Sequence, residues 1–150
     1  MSQLQLRPVR SDDLERMAEI ESLIAGHPRR GFLAKRFSAI AANPEQFPTC
    51  AALEQGILMG YAIAPIQEGD FGSRHALAVL DVIGVSPEVQ GKGLGRAMLG
   101  AIKGQLKERG IALLKTQIAW ADRKMVQFFS SAGFSLSPSQ IIERGTFPLE

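Results

Sequence analysis

Gln90, Gly91, Lys92, Gly93, Gly95 and Arg96 crowd into seven residues, and their types suit one task, the holding of an anion. The stretch follows an apolar run, Leu77 to Val85, and precedes a helical pattern, Ala97 to Arg109. A strand therefore feeds a glycine-rich turn that opens a helix. Main-chain N–H groups at a helix start lack intrahelical acceptors, and the helix dipole makes that end partly positive. Glycines remove Cβ atoms, so an anion can rest against the backbone. Lys92 and Arg96 add charge. Together these features predict a pyrophosphate site. A P-loop is excluded, because Gly95 is followed by Arg96 and Ala97 rather than Lys and Ser/Thr. The dinucleotide pattern fails as well, since its third glycine would come one residue after Gly95. A glycine-rich turn without a ligand is the remaining plain reading.

The second residue with chemical promise is Asp81, a carboxylate inside the apolar run. Strand alternation puts positions 79, 81, 83 and 85 on one face. Burial raises a carboxyl pKa and suits it to accept a proton, directly or through water. The competing reading is a structural aspartate bonded to backbone or to an arginine. His75 precedes the run beside a loop bearing Glu68 and Asp70; a surface histidine and an acceptor-facing one both fit. His27 reads as a helix-end surface residue. Tyr61, the one tyrosine, reads as core. Trp120 fits either packing or the lining of an acceptor pocket. No His, Cys or carboxylate spacing supports a metal site.

Gln90, Gly93 and Gly95 meet the pattern Gln/Arg-x-x-Gly-x-Gly/Ala, preceded by Val85-Ser86-Pro87-Glu88. This resembles the coenzyme A loop of the GNAT superfamily of N-acetyltransferases. Downstream, Asp122 to Phe134 resembles that superfamily's Asn-x-x-Ala-x-x-Phe-Tyr-x-x-x-Gly-Phe segment. In physical terms it is a helix capped by Asp122, with Met125, Phe128 and Phe129 on one face and Gly133 as its stop. The resemblance implies an α+β fold, a mixed and mostly antiparallel sheet with helices on both faces. It implies acetyl-CoA as cosubstrate, held by Gln90, Gly91, Lys92, Gly93, Gly95 and Arg96 at the pyrophosphate. Unpaired main-chain groups of Ile83 and Val85 would bond the pantetheine amides like an added strand, where the 77–85 and 111–120 strands splay. Asp122 and Phe129 would adjoin the cofactor. The implied function is direct transfer of acetyl to a primary amine in a ternary complex, with Asp81 as candidate base. The alternative is a CoA-binding regulatory or interaction module with weak or lost catalysis. Many members carry Tyr where this chain has Phe129, and Phe has no proton for a departing thiolate; Ser130, water or the helix end are the substitutes. The resemblance leaves a homodimer open.

The positioning elements follow from periodicity. Leu4 and Leu6 predict a strand ending near Pro8. Helices are expected from Ser11 to Ile24 and from Arg30 to Ala42. Thr49–Leu53 and Ile57–Ile66 read as a hairpin turned at Glu54-Gln55-Gly56. Strands at 77–85 and 111–120 flank the 97–109 helix, and two more are expected at 134–136 and 141–147. The 150 residues suit one domain, 1–150. Apolar residues at 45% and charged residues at 21% are globular proportions. A net charge of +2, with the cations spread out apart from Arg29-Arg30 and the glycine loop, argues against nucleic acid. One cysteine, Cys50, allows no internal disulfide and suits a reducing compartment. The polar N-terminus lacks a signal-peptide core, and no apolar run approaches membrane-spanning length. A cytoplasmic protein without membrane contact is the expectation.

Overall fold

The computed structural model describes residues 3–69 and 74–147. By internal contacts the chain divides into two compact units, residues 1–117 and 118–150. Asp70, read above as part of the loop before His75, lies outside the described residues.

In the larger unit the order is β1 (Leu4–Arg7), α1 (Leu14–Ala25), α2 (Arg30–Ala42), β2 (Thr49–Glu54), β3 (Ile57–Ile63), β4 (Ile66–Gln67), β5 (Leu77–Val79), β6 (Val82–Val85), α3 (Leu94–Glu108) and β7 (Leu114–Lys115). A 3-10 turn, Ser11–Asp13, leads into α1. Asp13 stabilises this entry by accepting from the Arg10 amide at 2.7 Å and from both terminal nitrogens of Arg7. Gly26, at φ 84°, ends α1 in the left-handed region, where a missing Cβ matters.

One sheet runs β1-β2-β3-β6, antiparallel throughout. Successive β3 side chains face opposite helices. Tyr61 joins Met17, Ile20 and Leu33 in the core beneath α1 and α2. Gly60 faces α3, where an added Cβ would come 3.0 Å from the Met98 methyl. Met98, Leu99, Ile102 and Leu106 form the buried stripe of α3, at the i, i+1, i+4, i+8 spacing of one helix face. Helices thus cover both faces, the arrangement expected for this α+β class.

The expected single strand 77–85 is divided. β5 pairs with β4 on one side and, in parallel, with β7 on the other, while β6 pairs with β3 in the first sheet. The break falls at Leu80 and Asp81. Leu80 N donates to Lys115 O at 2.8 Å, and the Thr116 hydroxyl donates to Leu80 O at 2.9 Å. Beyond this point the chains part. The expected 111–120 strand accordingly shrinks to Leu114–Lys115, because residues past Thr116 have no ladder partner among the described residues.

Gly84 has its own packing reason. A Cβ there would meet the Tyr61 ring, 2.5 Å from Cζ. Gly84→Ala is expected to cost about 1–3 kcal/mol through overpacking, a fall of roughly 2–10 °C in Tm for a chain of this size. Thermal unfolding tests it. The same substitution should cost less in a Tyr61→Leu background, and equal losses in both backgrounds would refute the steric account.

The smaller unit contains α4 (Arg123–Ser131). Gly133, at φ 94°, and the Phe134 N to Phe129 O bond of 2.9 Å close its C-terminus. The strands expected at 134–136 and 141–147 are absent among the described residues. Leu136, Ile141, Ile142 and Phe147 are exposed there. Apolar and β-branched residues supplied strand propensity, but among the described residues no partner edge satisfies the backbone, and Pro138 stands between the two segments.

Candidate functional site

β6 and the turn after it form the candidate site. In an antiparallel pair alternate residues bond to the partner strand. Ser86 N donates to Met59 O at 2.7 Å, so Gly84 and Val82 share that phase. Ile83 and Val85 turn their main-chain groups to the opposite edge, where no strand pairs among the described residues. One of those groups is occupied: Val85 O accepts from Gln90 Nε2 at 3.1 Å. Gln90 therefore ties the loop to the strand end, a role its position in the motif did not disclose. The edge keeps the Ile83 groups and the Val85 amide.

After β6, Pro87–Val89 makes a 3-10 turn with Pro at its start, and Val89 is buried. Gly91 and Gly93 then adopt φ 84° and 88°, a region that costs other residues about 1–2 kcal/mol. A Cβ on either would meet nothing within 4 Å. These glycines bend the chain and leave open ground above it. α3 begins at Leu94, three residues earlier than periodicity indicated, with Gly93 as an N-cap that offers no side-chain acceptor. The first helical bond is Ala97 N to Gly93 O, 3.0 Å, so the Leu94, Gly95 and Arg96 amides precede the helical ladder. Gly95 is thus a buried residue of the first turn rather than part of the bend. Lys92 and Arg96 are exposed, make no ion pair among the described residues, and no acid enters the first turn. The arrangement is electropositive, rich in donors and adjacent to an open strand edge.

At the other end of β6, Asp81 pairs through Oδ2 with the Arg36 guanidinium of α2. Its Oδ1 is buried without a hydrogen-bond partner. Burial raises the Asp81 pKa above its ordinary value, with the Arg36 charge opposing. The two readings of Asp81 are thus compatible, since one oxygen is anchored and the other is free. Asp81 lies four residues from Val85, about 13 Å along an extended strand.

Sequence reasoning did not identify Arg36 or its neighbours. Arg29 grips Glu21 through two bonds, 2.7 and 2.8 Å. The Arg29 and Arg36 guanidinium carbons lie 4.6 and 5.0 Å from the Phe32 ring centroid. Tyr61 is fully buried, as expected of a core residue; burial first, then the Glu21 carboxylate, pushes its phenol far upward. The available signal was compositional: residues 29–36 hold four cations and no acid.

In the smaller unit, Asp122 caps α4, its Oδ1 accepting from Met125 N at 3.2 Å. Phe129 is buried and meets Phe128 and Phe134 edge-on, with centroids 5.1 and 4.9 Å apart. Trp120 is exposed and lines, with Arg123, Val126, Gln127, Ser130 and Ser131, a concavity of about 560 Å³. His75 and His27 are exposed. Cys50 is buried, which pushes its thiol up to about 11. Among the described residues, no group of three His, Cys, Asp or Glu side chains is placed to hold a metal, and no helix is long and apolar enough to cross a membrane.

Comparison with known proteins converges on one group. The model of the acetyltransferase (GNAT) family matches residues 13–134. A mycothiol acetyltransferase of Propionibacterium freudenreichii subsp. shermanii is 27% identical over 143 residues, covering 92% of this chain and 45% of that protein. A mycothiol acetyltransferase of Thermobifida fusca is 26% identical over 138 residues, covering 87% of this chain and 43% of that protein. The chain thus spans about half the length of the curated relatives it matches. Among solved structures, the aminoglycoside N-acetyltransferase AAC(6')-Iy in complex with CoA superposes with a TM-score of 0.81 at 19% identity, over 98% of this chain and 97% of that one. A transcriptional regulator from Bacillus halodurans C-125 has the same fold, with a TM-score of 0.80 at 16% identity, over 95% of this chain and 100% of that one.

Proposed function

This chain belongs to the acetyltransferase (GNAT) family, and from that premise we propose that it transfers an acetyl group from acetyl-CoA to a primary amine. Attack is direct, within a ternary complex, and residues 1–150 act as one catalytic domain. The observation that carries this reading is the unpaired β6 edge running into the Gly91–Arg96 turn. A pyrophosphate suits the amides at the start of α3, with Lys92 and Arg96 supplying countercharge. A pantetheine arm suits the Ile83 main-chain groups and the Val85 amide, which would bond its amides as a strand partner does. An arm laid back along β6 leads toward Asp81.

Acetyl transfer from a thioester needs a deprotonated amine, a donor for the tetrahedral oxyanion and a proton for the leaving sulfur. Asp81 Oδ1 accepts the amine proton, directly or through water. A β6 amide donates to the oxyanion. Phe129 has no proton to give, so water protonates the thiolate. Asp122 serves by holding the start of α4. The single buried Cys50 fits a reducing compartment, and the cytoplasm is the proposed site of action.

The alternative is a CoA-binding module without turnover. Relatives named as acetyltransferases favour catalysis. Calorimetry with CoA, followed by thiol release and mass detection of acetylated product over an amine panel, decides between them. Binding and amine-dependent release are expected. Binding without release from any amine would make the chain a CoA-binding module, and failure to bind would overturn both readings.

A further inference from the structure

Arg29 and Arg36, at the start of and within α2, both lie over the Phe32 ring; Arg29 pairs with Glu21 of α1, which neighbours Tyr61 of β3, and Arg36 pairs with Asp81 before β6. Their charges cancel, but they are not evenly placed. The acids are the more buried partners, with Glu21 and Asp81 side chains 7% and 23% exposed; the arginine side chains are more exposed, at 42% for Arg29 and 30% for Arg36. Helix α2, residues 30–42, carries Arg30, Lys35 and Arg36 and no acid.

The hydrogen bonding is incomplete on one side only. Arg29 spends two nitrogens on Glu21. Arg36 directs Nη2 alone at Asp81, and its Nε is buried without a partner, as is Asp81 Oδ1. Buried polar atoms in folded proteins are nearly always bonded. A free donor on a cation and a free acceptor on an anion, on two paired side chains, form a complementary couple for a ligand that carries both opposite charges.

We propose that this network receives the acceptor, and that the acceptor is a small zwitterion, a primary amine with a carboxylate or phosphate a few bonds away. The inference rests on the acetyl-transfer reading and names its substrate class. The planar guanidinium fork of Arg36 fits either anion through two parallel bonds. Asp81 Oδ1 takes the amine hydrogens. The bound ammonium loses one proton before attack and a second as the nitrogen–acyl bond forms and the carbon–sulfur bond breaks; both pass through Asp81 to solvent, and one proton from water reaches the sulfur. A polycationic amine would meet the two more exposed arginines and be repelled.

The test compares kcat/KM on the unmodified protein for the common free α-amino acids, their amides, 2-aminoethyl phosphate, spermidine and neamine. An anionic acceptor is expected to exceed its uncharged counterpart by tenfold or more, with the polycations poorest; the ratio of amino acid to aminoethyl phosphate tells which anion is used. Arg36→Gln should erase that preference through the acceptor KM while the Kd for CoA stays within about threefold. Arg36→Lys, which keeps a point charge without the fork, should retain part of it. Equal use of acids and amides, preference for polycations, or CoA binding with no anionic amine turned over would overturn the inference. Should Arg36→Gln fail to fold, the acid–amide comparison and Arg36→Lys decide. Failure of CoA to bind removes the acetyl-transfer reading, and this inference with it.

Discussion

Gly93→Glu weakens CoA binding by more than a hundredfold, whereas Gly93→Lys weakens it by tenfold or less; this is the expected outcome of calorimetry on the two variants. Both place a Cβ at φ 88° and carry the same strain of about 1–2 kcal/mol. Neither meets protein, since the space above Gly93 is open to 4 Å. Thermal stabilities should therefore fall together. The variants differ in the charge they bring to the three amides that precede the α3 ladder. The carboxylate opposes a pyrophosphate there and the ammonium favours it. The two variants thus differ by at least tenfold, about 1.4 kcal/mol, above what a solvated surface charge delivers. Equal affinities in the two variants would remove the loop from the ligand site.

Asp81→Asn is expected to lower turnover by roughly 10²-fold or more, the usual range for losing a positioned base, with CoA affinity nearly unchanged. The pH dependence supplies a second readout. Burial raises the folded pKa of Asp81 above its ordinary 3.8, against the opposing Arg36 charge. The folded state therefore holds this proton more tightly than the unfolded chain does. The stability contribution is present in full below the unfolded pKa and is lost as pH rises through the folded one. Activity moves the opposite way, because only the carboxylate accepts a proton. The kcat/KM profile should rise with pH along a limb that disappears in Asp81→Asn. Arg36→Gln should shift that limb upward, since it removes the charge that favours ionisation. A stable Asp81→Asn variant with parental turnover would leave Asp81 as the anchor of Arg36 and nothing more.

Local signals were legible where one segment decides its own structure. α2 begins and ends where Pro28-Arg29 and Asn43-Pro44 bracket it. Asp122 caps α4 through its own side chain, and the glycine-rich stretch opens a helix as its place before an amphipathic pattern indicated. The turn into α3 belongs to this class, because a helix start and two bends are properties of consecutive residues. Other readings needed a partner that the segment does not contain. The 77–85 run is apolar but for Asp81, and its division there depends on where β7 leaves the ladder and Thr116 caps Leu80. The segments at 134–136 and 141–147 carry apolar residues, as strands do, but have no edge to join among the described residues.

The linear sequence by itself determined the family and the helices, since these depend on residue type at short fixed spacing. Only the tertiary structure decided which edge of β6 lies open, that Gln90 ties the turn to Val85, and that Asp81 meets Arg36 from 45 positions away. The physical reason is common to all three. A hydrogen bond or an ion pair between distant segments depends on two chain paths at once, and periodicity within either path carries no record of the other.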